Sequence, residues 1–335
     1  MDQSQNLQTV QSANEKALAA SFLLSLDRLQ AVIPETEITD LLSRGRVDLL
    51  LGEISETNIS AAFQPFGEQI SESFVTSGKA IAAEVPALPQ ARDPFGQGVR
   101  VDTHVYFDQA NPKLTGVLDQ YKRSLIRGLT DETRTTIEQI VSRSLQGGIN
   151  PIETAREIKN HIGLTASQDR AVSNYRQALI NKPSEALNRA LRDKRFDRTI
   201  LNLKDKALKG EQIDRMTARY RDRYLKYRSE VIARTESIRS LSMSGQALWE
   251  DMAEKGQVEE KRIRRLWIYT KDGKTRPAHA HGGIPALNPD GVGLREPFKA
   301  PGGYLIQYPG DPRAPAALTV QCRCTVFYKI DYLSD

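Results

Sequence analysis

The sequence has almost no cysteine and no long apolar run, and each absence excludes a class of protein. Cys322 and Cys324 are the only cysteines among 335 residues, so the chain has no disulfide framework. Their separation by one residue does not allow an unstrained bridge across one strand. No apolar run approaches the ~18 residues that a membrane-spanning helix needs. The first residues have no basic stretch before an apolar core, so we expect a cytoplasmic protein without a secretory signal.

The composition is that of a water-soluble protein with an uneven distribution of charge. A length of 335 residues predicts two or three domains at ~150 residues each. The net charge is +5, but residues 192–234 alone hold 14 Lys+Arg against 7 Asp+Glu, which leaves the rest slightly acidic. A basic segment of this kind suits a polyanion, above all nucleic acid. A second explanation fits this basic segment equally well: charges of alternating sign on a long helix serve only to keep it solvated.

Apolar residues recur at helical spacing in the N-terminal third of the chain. They predict helices at about residues 13–33, 36–51 and 55–85. Pro65 and Gly67 predict a kink in the third helix, because proline removes a backbone donor and glycine is a weak helix former. We therefore expect a helical N-terminal region.

The middle of the chain is also predicted to be helical, after a linker. Three prolines fall between residues 83 and 98 and mark this linker. Beyond it, helix starts are predicted at Thr130, at the cap–proline pair Asn150-Pro151 and at the capping-box residue Thr165. We divide the chain into a helical region at 1–98, a helical middle region at 99–190 and a C-terminal domain at 191–335.

The C-terminal domain begins with a predicted helix of about 45 residues, at 211–255, which would be ~68 Å long. The run from Ser240 to Gly245 is rich in weak helix formers and favours a bend or break. A sustained apolar stripe follows one side of the helix. Such a stripe exceeds what a monomer usually exposes, so we expect it to pack against the N-terminal helices or a partner.

A basic face accompanies this stripe, because four cationic residues recur every three or four positions. Tyrosines are interleaved with them and would suit base stacking, but burial within the apolar stripe is the reading we favour. We predict non-specific contact of the basic face with double-stranded DNA. Its residues are Arg215, Arg219, Arg223 and Lys226.

Residues 264–325, here called the C-terminal cassette, follow the helix and have a strand-like pattern with polar loops. A short apolar strand at Trp267 stops at the turn dipeptide Asp272-Gly273. Residues 320–327 alternate with the period of a strand. In such a strand Cys322 and Cys324 would share one face, about 7 Å apart.

The cysteines and histidines of the cassette invite a zinc site, with Asp272 or His279 completing a set with Cys322 and Cys324. Two observations oppose it: Cys-x-Cys is shorter than the usual ligand spacing, and one strand rarely offers both sulfurs to one ion. We favour cysteines that pack as small apolar groups, with His279 bonded to Asp272 or a loop carbonyl. The expected cassette is free of metal and cofactor.

An enzyme is the alternative from a different functional class. His279 or His281 would serve as a general base while Arg276 steadies a phosphate, as in a metal-independent nuclease. Cys322 with His279 would make a thiol nucleophile pair, and a zinc-dependent or toxin-like enzyme on the same residues is a further variant. No nucleophile elbow, phosphate loop or pair of acids supports these readings. We favour a loop-fixing ionic staple of Arg276, Asp272 and His279.

An ordered set of residues resembles the phage Mu F-like minor head protein (head morphogenesis) family. The one departure is Gln321, where the family has asparagine. The matching elements are Arg234-Thr235-Glu236 on a helix, Trp267, Asp272, Arg276, His279, Phe298, the Pro309-Gly310-Asp311-Pro312 turn and Cys322-Arg323-Cys324-Thr325.

The resemblance implies a structural protein inside a phage head, near the portal, and in the host cytoplasm during assembly. Implied partners are the portal protein, other head proteins and packaged DNA, with several copies per head and no membrane. The expected fold is α+β: mostly α-helical N-terminal and middle regions with a long basic helix, then a small β-rich C-terminal domain. We expect no catalytic residue.

Overall fold

The computed structural model describes residues 5–32, 34–53, 56–85, 105–203 and 207–331. Helices dominate the described residues as far as residue 254, and short strands follow. This confirms the predicted α+β class, with a small antiparallel sheet region at the C-terminal end. The helices are α1 (Gln5–Val32), α2 (Glu35–Ser43), α3 (Val47–Glu53), α4 (Glu56–Ala62), α5 (Gln64–Ala82), α6 (Pro112–Gly147), α7 (Pro151–His161), α8 (Ala166–Asn181), α9 (Pro183–Ala186), α10 (Asp197–Leu201), α11 (Gly210–Glu254), α12 (Ile284–Leu287) and α13 (Ala316–Thr319).

The strands form two small antiparallel sheets. In the first, β1 (Ile263–Ile268) lies between β2 (Val292–Gly293) and β5 (Thr325–Ile330), with Arg264 opposite Lys329 and Ile268 opposite Thr325. In the second, β3 (Phe298–Ala300) and β4 (Tyr304–Ile306) make a hairpin in which Phe298 lies opposite Ile306. Short 3₁₀ turns occur at Lys194–Phe196, Glu260–Arg262 and Pro277–His279.

Two of the predicted N-terminal helices are each divided in the structure. The helix predicted at 36–51 is split into α2 and α3, because Gly45 adopts a left-handed backbone with φ of 67°. The helix predicted at 55–85 is split into α4 and α5 around Phe63, next to the predicted kink at Pro65. Both divisions follow local backbone chemistry that apolar periodicity does not detect.

The middle region confirms two predicted helix starts and corrects a third. Asn150 caps α7 by accepting a bond from Ile152 N at 2.9 Å, and Thr165 forms the predicted capping box with Gln168. Thr130, in contrast, lies inside the continuous helix α6. Its hydroxyl donates to Ile126 O at 2.9 Å, a bond that an internal threonine makes within its own helix.

Helix α11 confirms the long helix. It spans 45 residues and continues through the serine-rich run from Ser240 to Gly245 without a break. Burial supplies the reason, because every residue from Thr235 to Gln246 is buried. Tertiary packing therefore outweighs the weak intrinsic propensity of this run.

The described residues pack into two compact units built from discontinuous segments. Unit one comprises Met1–Ala19, Glu68–Gln120 and Val231–Asp335. Unit two comprises Ala20–Gly67 and Tyr121–Glu230. Helices α1, α5, α6 and α11 contribute residues to both units.

The predicted linker at 83–98 lies almost wholly outside the described residues, which stop at residue 85 and resume at residue 105. The boundary between residues 98 and 99 lies outside them as well. The division into regions at 1–98, 99–190 and 191–335 therefore stays a prediction.

No single helix among the described residues is long and apolar enough to cross a bilayer. Helices α1 and α2 reach that length and composition only when the two are counted together. One face of α1 is buried in the fold, as expected of a core helix, whereas Leu23, Leu24 and Val32 are exposed. Leu18, Phe22, Leu26 and Leu29 are each at most 4% exposed.

In unit two, the core joins α8 to the first half of α11. Tyr175 and Tyr220 stack with ring centroids 4.1 Å apart, and Tyr224 meets Tyr220 edge-on at 5.1 Å. The tyrosines Tyr220 and Tyr224 thus belong to the apolar stripe, as favoured from the sequence, whereas Tyr227 is exposed. The buried members of this core are Leu164, Val172, Tyr175, Ala178, Leu179, Ala186, Ile200, Leu208, Ile213, Met216 and Tyr220.

Unit two also contains a buried ionic network around Asp169, which is fully buried. Arg143 donates to Asp169 at 2.8 Å and to Glu157 at 2.6 Å, and His161 Nδ1 contacts Asp169 Oδ1. Burial alone would raise the pKa of Asp169, but the bonds from His161 and Arg143 outweigh burial and lower that pKa. His161 is therefore part of this network.

In unit one, the second half of α11 packs against the sheets of the C-terminal cassette. The stripe residue Ile238 is buried with Trp267, Phe298 and Ile306. Trp249 of the same helix stacks on Tyr328 of β5 with ring centroids 5.2 Å apart. The apolar stripe is therefore covered largely by this chain's own residues.

Candidate functional site

A cluster of one histidine and two cysteines lies at the centre of the cassette. His279 Nδ1 is 3.4 Å from Cys322 Sγ and 3.4 Å from Cys324 Sγ. The three donor atoms all lie within 4.8 Å of one another. Each residue is 2% exposed. The fold thus brings together three of the four residues that the sequence nominated for zinc.

The two cysteines do not lie on a strand, so the predicted strand over residues 320–324 is wrong. Strand β5 begins only at Thr325, and Gln321 has a left-handed backbone with φ of 55°. This conformation turns the chain just before Cys322, and the Cys324 amide then donates to Cys322 Sγ at 3.4 Å. The turn brings the sulfurs together, whereas a strand would hold them about 7 Å apart.

The left-handed backbone at Gln321 is a conformation that asparagine, the residue implied there by the resemblance, adopts more readily than glutamine. Asparagine is enriched among non-glycine residues at positive φ, whereas a longer side chain is uncommon there. The turn is held by a bond from Gln321 N to Thr235 Oγ1 at 3.0 Å. The hydroxyl of Thr235, on α11, therefore fixes the approach to Cys322.

His279 is positioned by a proline-initiated 3₁₀ turn and by aromatic contacts. Its ring meets Trp267 nearly perpendicularly, with centroids 5.4 Å apart, and Trp267 meets Phe298 in the same way at 5.4 Å. After the turn the chain folds back so closely that a Cβ on Gly283 would lie 2.1 Å from Ala278 O. Only glycine fits there. His279 Nε2 has no hydrogen-bond partner among the described residues.

The expected ionic staple of Arg276, Asp272 and His279 is not formed. Asp272 instead makes a bidentate pair with Arg323, one of whose bonds is 2.7 Å long, and accepts from Lys274 N at 3.1 Å. The bonds from Arg323 lower the pKa of Asp272 to about 2. Arg276 donates to the Val320 carbonyl. Each arginine thus connects the Asp272–His279 loop with the cysteine segment.

The Arg234-Thr235-Glu236 sequence on α11 makes three different contacts. Arg234 pairs with Glu15 of α1 at 2.8 Å, and Thr235 holds the Gln321 turn. Glu236 pairs with Arg239 at 2.6 Å, and Arg239 donates to Gly310 O at 2.7 Å. The last contact fixes the Pro309–Pro312 turn. The side chains face different ways, as their spacing on a helix requires.

A cavity of about 560 Å³ opens over the cluster. Four of its ten lining residues are lysine or arginine, and Glu15 is the one acidic residue among the ten. His279, Cys322 and Cys324 form part of the lining, so one side of the cluster faces this space. The remaining lining residues are Glu15, Arg234, Lys274, Thr275, Arg276, Gln321 and Arg323.

The thiols of the cluster influence one another. A hydrogen bond with Cys324 lowers the pKa of Cys322, and His279 acts in the same direction. The hydrogen bond with Cys322 and burial both raise the pKa of Cys324. The arrangement offers two soft sulfur donors and one imidazole nitrogen to a metal, or a thiol–imidazole pair.

Sequence reasoning missed Arg265, the largest fully buried side chain of the cassette. Its Nε donates to Gly293 O at 3.0 Å, and its Nη1 donates to Gln246 Oε1 at 2.8 Å and Gln307 O at 2.7 Å. Its Nη2 donates to Glu296 O. The position of Arg265 on the inward face of β1, between buried Ile263 and Trp267, is the signal that could have revealed it.

Two further sets of nominated residues lie away from this cluster. His281 is exposed and is not part of the metal-donor group. The four basic residues of α11 are all exposed and lie in unit two. These are Arg215, Arg219, Arg223 and Lys226.

Comparison with known proteins identifies one family. Residues 198–327 match the family model described as Phage Mu protein F like protein, which confirms the resemblance inferred from the motifs. The match covers α10 from its second residue, α11 and the whole cassette. It suggests a protein of phage head morphogenesis. No curated protein and no solved structure matches the chain.

We predict that replacing Arg265 with methionine lowers the free energy of unfolding by about 3 kcal/mol or more. The substitution removes a donor from four acceptors. Gly293 O keeps a bond from Glu296 N at 3.2 Å and Gln246 Oε1 keeps one from the Tyr328 hydroxyl at 3.3 Å, so the loss falls mainly on the Gln307 and Glu296 carbonyls. Lysine should also fail to replace Arg265, because its single ammonium cannot reach acceptors that a planar guanidinium spans. Urea denaturation of the full chain measures the change.

The matched control is Arg264→Met, since Arg264 is the exposed neighbour on the same strand. It should change the free energy of unfolding by about 0.5 kcal/mol or less. Equal effects at both positions would contradict the central role given to the buried guanidinium.

Proposed function

Starting from the family match at 198–327, we propose that this chain is a minor structural protein of a phage head that acts in head morphogenesis. That match is the observation that carries the proposal. The proposal places the protein inside the virion head near the portal, with several copies per head. During assembly it would reside in the host cytoplasm. It assigns the chain no enzymatic activity.

The contacts made by the family-matching residues support a structural role. Thr235, Asp272 and Arg276 all hold the backbone or side chains of the cysteine segment. Glu236, through Arg239, holds the turn at Gly310. Trp267 and Phe298 pack in the apolar core. Residues that stabilise a fold in this way are what a capsid component needs.

The portal contact is proposed from the family match and not from the apolar stripe. From the sequence we expected the stripe of α11 to pack against the N-terminal helices or a partner. In the structure its residues Ile213, Met216, Ile238, Leu241 and Leu248 are buried within the chain. We therefore assign the portal no contact through the stripe.

The proposed contact with packaged DNA uses the basic face of α11. Among the described residues no ion pair is formed by Arg215 or Arg219, so both cations are available to phosphates. Arg223 is partly engaged, since it donates to Arg192 O at 2.8 Å and lies 3.4 Å from Asp193. Lys226 makes only a long exposed pair with Glu230 at 3.9 Å. Arg215 and Arg219 should therefore contribute most.

We predict that the purified chain binds double-stranded DNA with little sequence preference and a steep dependence on salt. Each phosphate contact contributes about 0.9 to the slope of log K against log salt. The double variant Arg215→Ala/Arg219→Ala should therefore flatten the slope by about 1.8. Alanine preserves the helix, so a change of fold is not expected. Fluorescence anisotropy over a salt series measures the slope.

The control is Arg123→Ala/Arg264→Ala, which removes the same charge from exposed positions outside α11. Its slope should remain close to that of the unchanged chain. A chain without affinity for DNA at low salt, or equal slopes in both variants, would remove DNA contact from the proposal.

The role in assembly is tested in a phage genome that encodes this chain. Deleting its coding sequence should reduce the yield of infectious particles and give aberrant or unstable procapsids in electron micrographs, and supplying the chain in trans should restore both. Cross-linking mass spectrometry of restored procapsids should recover peptides joined to the portal protein. Normal particles after deletion would overturn the role, whereas cross-links only to other head proteins would overturn the portal contact.

A further inference from the structure

We propose that His279, Cys322 and Cys324 form a zinc-binding site whose fourth coordination position faces the cavity. In tetrahedral zinc sites the bonds to sulfur are about 2.3 Å long and those to histidine nitrogen about 2.0–2.1 Å. At the tetrahedral angle these bonds place a nitrogen and a sulfur ligand about 3.6 Å apart. Both Nδ1–Sγ distances are 3.4 Å. The nitrogen is thus already separated from each sulfur as in a zinc site, and the two sulfurs lie within 4.8 Å of each other.

The chemistry of the donor set fits zinc. Thiolate and imidazole are the ligands that zinc takes in proteins. When the ion binds, the protons of the two thiols are released to solvent. Two thiolates and a neutral imidazole then balance the charge of Zn²⁺, so the buried site carries no net charge. A buried neutral cluster avoids the cost of burying an isolated ion.

The structure removes the main objection that the sequence raised. That objection assumed that both cysteines lie on one strand, with sulfurs about 7 Å apart. The left-handed backbone at Gln321 instead turns the chain, and the cysteines lie in irregular backbone ahead of β5. The proposal therefore replaces the expectation of a metal-free cassette.

Neighbouring groups hold the ligands in place. Thr235 Oγ1 accepts from the amide of Gln321, and Arg276 donates to the carbonyl of Val320. Both contacts fix the backbone that leads into Cys322. Trp267 packs against the His279 ring. Support of this kind beyond the ligands orients them and tunes metal affinity.

A second group of side chains also has the spacing of metal ligands, but it is already paired with a cationic side chain. Glu157, His161 and Asp169 also lie within 4.8 Å of one another. Arg143, however, already donates to both carboxylates, at 2.6 and 2.8 Å. A cation therefore occupies the position that a metal would need. The described residues bring no cationic side chain into hydrogen-bond contact with the sulfurs of Cys322 and Cys324.

Three protein ligands leave one position of a tetrahedron unfilled. His279, Cys322 and Cys324 all line the cavity of about 560 Å³, so a water molecule can reach that position. Asp272 does not supply the fourth ligand, because Arg323 and the Lys274 amide occupy its oxygens. The ion would join the His279 loop to the segment just before β5. Stabilisation of a small, loop-rich cassette is the expected consequence.

The test uses the full chain, purified under reducing conditions without chelator. Elemental analysis should find about one zinc ion per chain. Zinc removal followed by titration with Co²⁺ should give the thiolate charge-transfer and visible bands of tetrahedral cobalt. The chain has only two cysteines, so alkylation reports on the site alone. Zinc should slow alkylation of both thiols, and a chelator should restore it.

The variants Cys322→Ser, Cys324→Ser and His279→Gln should each lower zinc affinity by more than about 100-fold, because losing a ligand exceeds the effect of losing its supporting contacts. His281→Gln is the matched control, since His281 is exposed two positions from His279, and it should bind zinc normally. The cobalt titration of the unchanged chain needs no variant and so remains decisive if a substitution prevents folding. Failure of the reduced chain to take up zinc or cobalt would overturn the proposal, as would full retention of zinc by a folded Cys322→Ser/Cys324→Ser variant.

Discussion

The guanidinium of Arg265 is fully buried at the centre of the cassette, and burial of a charge costs several kcal/mol unless its donors are satisfied. The acceptors come from four places: Gln246 on α11, Gly293 of β2, Gln307 after β4, and the Glu296 carbonyl. The ring of Phe298 lies 5.1 Å from the charge and adds a cation–π contact. The cassette can bury this side chain only when helix α11, strand β2 and the two loops at Glu296 and Gln307 are all in position.

Elsewhere in the cassette, bonds from polar side chains also hold the backbone in place. Side chains of α11 and β1 do this where a larger domain would have extensive strand pairing. Thr235 and Arg239 bind the backbone at Gln321 and Gly310, both of which have positive φ. Arg276 and Arg323 connect the His279 loop with the cysteine segment. The family motif is therefore a set of contacts that orders loops, which agrees with a part in building a particle.

Local chemistry made part of this predictable. The caps at Asn150 and Thr165, the long helix α11 and the β1 strand at Trp267 each follow from neighbouring residues, and all are present. Thr130 was misread because an acidic, cap-like sequence also fits inside a helix that packing sustains. The cysteine strand was misread because alternation of apolar residues does not reveal a left-handed residue. Arg265 was missed because its acceptors lie far away in the sequence.

The central claim is that this chain is a component of the phage head, and its presence in the particle tests that claim most directly. Quantitative peptide mass spectrometry of purified, DNA-filled heads from a phage that encodes it would count the copies per particle. The account predicts several copies, in constant ratio to the portal protein and resistant to washing with salt. Heads that lack the chain, in a lysate where it is abundant, would contradict it.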